Sequence, residues 1–145
     1  MMRALLALGT ILATCSPRVG HTDEIQLVEV AVAGKQAEPG ERTGVELTRA
    51  GRLIPIIPTE RVRRLHDGDI IDTGQASVAI RWGDKRIFLR PATRIQILQR
   101  ELKRLHVWVG ELFLDGGFSV QTEYFSAASE GTQFVRVYRR ARAAT

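Results

Sequence analysis

From Val62 onward the apolar residues recur at every second position in short runs, and a glycine or aspartate interrupts them about every ten residues. Period two sends successive side chains to opposite faces, so each run has one side to bury and one to leave in water. That rhythm predicts short strands joined by tight turns, and no comparable stretch carries the period of a long helix.

The clearest run is Ala76 to Trp82, where Ala76, Val78, Ile80 and Trp82 alternate with Ser77, Ala79 and Arg81. Gly83-Asp84 follows, a two-residue loop with glycine first, which suits a type II′ hairpin turn. Such a loop sets a register in which Trp82 faces Lys85, Ile80 faces Ile87, and Val78 faces Leu89. The opposite face then pairs Arg81 with Arg86, Ala79 with Phe88, and Ser77 with Arg90. Opposed arginines cost roughly a few tenths of a kcal/mol unless solvent or an anion covers them, so that face should look outward.

Further along, Ile95 and Ile97 continue a strand, and Gln99–Arg104 is a charged turn. Leu105, Val107 and Val109 alternate with His106 and Trp108, Gly110 marks a bulge or bend, and Leu112 with Leu114 resumes the strand. Asp115-Gly116-Gly117 turns the chain into Phe118, Val120 and Thr122, and a last run spans Phe134–Tyr138. Ahead of Val62, the run Glu24–Ala33 reads as a strand through Val28, Val30 and Val32. Gly34–Gly44 is rich in turn residues, and Pro55 and Pro58 confine the apolar patch between Leu53 and Pro58 to an irregular edge.

The N-terminus differs in kind. Arg3 precedes the uncharged run Ala4–Ala13, which is too short to span a bilayer but fits the apolar region of an export signal. Cys15, the only cysteine, excludes a disulfide framework. With Leu12-Ala13-Thr14 before it, it resembles the acylated cysteine of a bacterial lipoprotein signal. The expected organisation is a signal helix over 1–15, a linker over 16–23, a strand and irregular segment over 24–60, and a β domain over 61–145. That places the chain outside the cytoplasm, in the periplasm or envelope, with lipid anchoring through Cys15 as one form.

Residues 62–74, from Val62-Arg63-Arg64-Leu65-His66 to Asp67-Gly68-Asp69-Ile70-Ile71-Asp72-Thr73-Gly74, resemble the opening of the FecR domain family. The likeness runs on through Ser77, Arg86–Thr93, Gly110 with Phe113, and Phe118, Val120 and Thr122 to Gly131-Thr132 with Phe134. The resemblance implies an all-β periplasmic module, a short-stranded two-sheet sandwich or a solenoid-like β fold. It also implies work by protein–protein contact in envelope signalling or scaffolding. Within that template Gly68, Gly74 and Gly131 stand where turns need positive φ or room for a crossing backbone. Asp67, Asp69 and Asp72 are turn aspartates, and Thr73 and Thr132 are turn caps.

Catalytic and metal chemistry find little support in the residue spacing. His21, His66 and His106 stand far apart with no cysteine to help, and Asp67, Asp69 and Asp72 lack the glycine and glutamate positions of a calcium loop. No nucleophile elbow or phosphate-cradling loop is present, so the expectation is a non-enzyme without cofactor or metal. The net charge of +5 suggests anionic partners. Arg81, Arg86 and Arg90 beside Phe88 form the candidate surface for a protein partner or, alternatively, for an anionic envelope glycan or lipid. Arg61, Arg63 and Arg64 form a second basic cluster. With 6% aromatic residues and an export signal, nucleic acid is not an expected partner. The last strand, ending soon after Tyr138, should leave an edge open to self-association.

Overall fold

A computed structural model describes residues 24–59 and 62–138. The expected signal helix, the linker, Cys15, His21 and Arg61 lie outside the described residues.

The described chain is all-β, with thirteen strands and no helix. They are β1 (Ile25–Val32), β2 (Lys35–Gln36), β3 (Glu46–Arg49), β4 (Arg52–Pro55), β5 (Arg63–Leu65), β6 (Ile70–Asp72) and β7 (Ala76–Trp82). Then come β8 (Lys85–Leu89), β9 (Arg94–Gln99), β10 (Arg104–Asp115), β11 (Phe118–Gln121), β12 (Ser126–Ser129) and β13 (Thr132–Val137). They form one curled sheet, antiparallel at every pairing except β10 with β11.

The curl is centred on β10. Its first half, from Arg104 to Val109, pairs with β9, whereas Gly110–Asp115 pairs with β13 and, from Leu112, with β8. One wing therefore runs β2-β1-β7-β8-β10-β13, and the other β4-β3-β6-β9-β10-β11-β12. Both wings turn their aliphatic side chains into a single core, from Ile25, Ile80 and Leu89 in one to Leu47, Ile71 and Ile95 in the other. Trp82 closes the space between them. Its ring meets Phe118 edge-on at 5.6 Å, and its indole N–H donates to the Arg100 carbonyl at 3.0 Å.

Gly110 is where the strand changes wings, at φ +115. A β-carbon there would overlap the Cα, Cβ and hydroxyl of Thr93. The buried Thr93 Oγ1 donates to the Glu111 carbonyl and accepts from the Glu111 N–H, both at 3.1 Å. Thr73, also buried, accepts the Thr93 N–H at 3.0 Å and donates to the Arg90 carbonyl at 2.9 Å. Two hydroxyls thus supply the backbone partners that the ladder loses at the corner, as buried peptide groups require. The bulge itself falls at Trp108, where the register against β9 shifts between Val107 and Val109.

The 76–89 hairpin has the register its sequence dictates, with Val78 opposite Leu89, Ile80 opposite Ile87, and Arg81 opposite Arg86. In its loop Gly83 has φ +62 and Asp84 does not take positive φ.

Elsewhere the structure corrects the sequence reading. Val28 does not alternate into the core with Val30. It is the extra residue of a bulge against β7, and the buried positions switch from Ile25 and Leu27 to Val30. Residues 45–55 are more regular than expected, because Ala50-Gly51, both at positive φ, close a β3–β4 hairpin. Pro55 ends β4 at the sheet edge. Gly68 and Gly74 take positive φ, and a β-carbon at Gly74 would lie 2.9 Å from the Gly44 carbonyl oxygen. Gly131 does neither, having open space and no left-handed φ. Thr132 caps no turn but opens β13 with an exposed side chain. The hydroxyl that does cap a turn is Thr122, which accepts from the N–H groups of Tyr124 and Phe125 at 3.1 and 3.0 Å.

Asp72 accepts the Gly74 N–H at 3.1 Å, as a turn aspartate should. Asp67 reaches instead to the Arg100 N–H at 2.8 Å. Asp69 is a buried ion-pair partner: Arg49 grips both its oxygens, at 2.9 and 2.7 Å, and the His66 N–H adds a third bond at 2.7 Å. The Asp69 hydrogen bond raises the Arg49 pKa above its ordinary value against the opposing effect of burial.

Candidate interaction surface

The first wing buries one face and shows the other to solvent. On the exposed face the registers of β1, β7, β8, β10 and β13 align side chains into rows that cross the strands. In the central row Ala79 stands opposite Phe88, Phe88 opposite Phe113, and Phe113 opposite Phe134. These three phenylalanines are 41%, 40% and 49% exposed, which is far from the near-zero values of Ile87, Leu89, Leu112 and Leu114 behind them. Neighbouring strands lie about 4.8 Å apart, so the three side chains stand side by side as one apolar strip across the strands.

Polar rows flank the strip. On one side Arg81, Arg86, Asp115 and Thr132 follow one another across the strands. On the other, Glu111 stands opposite Arg136, with Arg90 beside it. Beyond Phe88, toward β1, the side chains shrink to Ala79, Ser77 and Ala31. The step down from the rings leaves a shallow hollow of about 450 Å³, rimmed by Glu29 and Arg90.

Arg81, Arg86, Phe88 and Arg90, the residues singled out in the sequence, do share this face. They do not form a free basic cluster. Arg81 donates to the Gln26 side-chain oxygen at 2.6 Å. Arg90 and Arg136 both approach Glu111, at 3.6 and 2.9 Å. Arg86 stands between Arg81 and Asp115. Arg136 also lies over the rings of Phe134 and Tyr138, 5.4 and 5.6 Å from their centroids. Its hydrogen bond to the Tyr138 hydroxyl and the nearby Glu111 carboxylate raise its pKa above the ordinary value. Of the second cluster, Arg63 stands in β5 opposite Leu27 of β1, and Arg64 makes an ion pair with Glu24.

The chain matches no family model, no curated protein and no solved structure.

Phe113, Phe134, Glu111 and Arg136 complete the surface and were not grouped with Phe88 from the sequence. A local signal existed. In Leu112-Phe113-Leu114 and Phe134-Val135 the aromatic residue stands at the parity opposite to the buried aliphatics. That marks it as outward-facing, and an outward-facing phenylalanine is the informative kind. The other histidines and acids gather no metal-ligating set: among the described residues no three His, Cys, Asp or Glu side chains converge. His106 packs against Trp108 at 4.9 Å, on the far wing.

Proposed function

We propose that this chain is an exported, FecR-like envelope module that works by protein–protein contact, in signalling or scaffolding, and that the Phe88–Phe113–Phe134 strip is its contact. The curled sheet stands in this reading for the two-sheet or solenoid-like form of that family, and the role is binding rather than catalysis. One observation carries the contact: three neighbouring phenylalanines on three different strands are held outward and two-fifths or more exposed. An apolar strip rimmed by arginines and carboxylates has the composition of a protein interface centre and its polar rim. Aromatic residues and arginine also dominate interface energetics. The arginines themselves favour a protein over an anionic polymer, because Arg81 and Arg90 already have partners on the same face.

Capture from envelope extract tests this reading with two variants of the full chain. Phe113→Ser should abolish capture of the partner, and Arg81→Glu with Arg86→Glu should leave capture in place at moderate salt. Binding that survives Phe113→Ser but is lost on charge reversal and on raising salt would favour the glycan or lipid alternative.

A further inference from the structure

We infer that the side of β10 between β11 and β13 carries a second contact, an aromatic cluster of Trp108, Tyr124, Phe125 and Tyr138 that seats on an anionic phospholipid surface. This goes beyond the face contact above, uses none of its phenylalanines and does not depend on it.

The two tryptophans, two tyrosines and five phenylalanines of the chain all lie in the described residues, and only Trp82 and Phe118 are buried. Phe88, Phe113 and Phe134 make the strip. The other four aromatics are between 38% and 69% exposed, and the strand registers bring them to one place. β8 and β9 follow one another along one side of β10, tied at the corner by the Arg90 N–H to the Glu111 carbonyl at 2.9 Å and by Thr93. β11 and β13 therefore share the other side. β11 runs parallel to β10 and ends with Gln121 one residue past Val120, opposite His106, whereas β13 runs antiparallel and ends with Val137 opposite Gly110. The two strands approach each other head-on, and Val107–Val109 is the stretch left between their ends. Trp108 stands in the middle of that stretch, turned outward by the bulge. Tyr138 follows Val137 into it from one side, and the Thr122–Phe125 turn follows Gln121 from the other.

Residue type and charge select a lipid surface as the occupant. The strip is made of phenylalanine alone, but this cluster holds Trp108, Tyr124 and Tyr138, whose rings favour an apolar medium and whose N–H or O–H ends favour a wet one. The headgroup region of a bilayer supplies both, which is why tryptophan and tyrosine concentrate there. Tyr124 and Phe125 are consecutive in a tight turn, where small polar residues are the rule. That turn is held by backbone groups and the Thr122 hydroxyl, with the Thr122 N–H donating to the Phe125 carbonyl at 2.8 Å, so neither ring is needed to form it. The charge beside the cluster complements phosphate. The Arg94 guanidinium lies over the Trp108 ring, 5.2 Å from its centroid, and its contact with Asp72 is long, at 3.9 Å between groups that are both more than two-fifths exposed. An exposed pair of that kind is weak, which leaves Arg94 free to meet an anionic headgroup. The net charge of +5 draws the whole chain toward such a surface.

Tryptophan fluorescence of the full chain, titrated with vesicles of phosphatidylcholine and phosphatidylglycerol in equal parts, tests the proposal. Trp82 is fully buried and Trp108 is exposed, so a change in emission reports on this cluster, wherever else the chain touches the vesicle. The expected result is a blue shift, with quenching when the acyl chains carry bromine. Trp108→Phe should abolish the quenching and leave the Trp82 emission in place, which also shows that the fold is intact. Tyr124→Ser with Phe125→Ser should weaken binding read at Trp108 about tenfold. Arg94→Gln should weaken it about fivefold on the mixed vesicles and leave binding to phosphatidylcholine alone unchanged. An intact chain whose Trp108 emission neither shifts nor is quenched would overturn the proposal, as would quenching that the serine pair leaves unchanged. Loss of an envelope protein from the serine pair, with no vesicle binding by the intact chain, would make the cluster a protein contact and overturn it too. None of these outcomes touches capture through Phe113, so the cluster and the phenylalanine strip stand or fall separately.

Discussion

The two faces of the β7–β8–β10–β13 wing are built on the same backbone and differ in what surrounds their side chains. Ile87 and Leu89 point one way into a packed core, while Arg86 and Phe88, interleaved with them, point the other way into water. The inner face owes its stability contribution to area removed from solvent and to close packing. The outer face has no such source, yet it holds large apolar rings. A residue type that stabilises on one side of a strand is left available on the other. The lesson is that side-chain direction assigns the residue's task on this sheet.

The comparison breaks most sharply at the corner where both faces are set. Gly110→Ala would drive a methyl into Thr93 at a left-handed backbone position, so the shift must pass through buried backbone. The expected loss is about 4 kcal/mol, at the severe end for a single substitution, and denaturant unfolding measures it. Next comes the inner face itself. Leu89→Ala should cost about 3 kcal/mol, the transfer term plus a cavity under β8. The polar counterpart is Asp69→Asn. Its amide would set N–H donors against the Arg49 guanidinium, at about 2 kcal/mol, since Arg49 is still part-exposed and can rehydrate. On the outer face Phe113→Ala removes the side chain that stands opposite Phe88 and Phe134 on the neighbouring strands and should cost only about 1 kcal/mol. If Phe113→Ala instead matched Leu89→Ala, the strip would be a stability element and the functional reading would lose its main support.

How much of this was legible depended on the sequence distance between the interacting parts. The 76–89 hairpin was readable because its alternation and its Gly83-Asp84 loop are contiguous, and each constrains the other. β10 was not, because nothing local says that its two halves serve different neighbours. Only Gly110, read as a bend, hinted at it. Val28 shows the same limit at smaller scale. Ile25 and Leu27 have one parity and Val30 and Val32 the other, and that conflict is the signature of the bulge. The phenylalanine strip needs three strands and two non-local registers, so the sequence supplied its members singly. Arg49 with Asp69 is a pair of the same kind, joined only when β3 comes beside β6.

The finest test of the two faces is the arginine that looks least necessary. Arg86 stands opposite Arg81 on β7 and opposite Asp115 on β10, so repulsion from one side is set against attraction from the other. Arg81 is drawn partly away by the Gln26 side chain, which moves its charge toward β1. Exposed cross-strand pairs are worth a few tenths of a kcal/mol either way. Arg86→Gln should therefore change unfolding free energy by less than about 0.5 kcal/mol, and the sign carries the information. A small loss means Asp115 governs and the row is balanced for stability. A small gain means that Arg81 governs, and the fold then tolerates a repulsion on a face where burial gives nothing back. Repeating the measurement at high salt should shrink the difference toward zero, because both neighbours act through solvent-exposed charge.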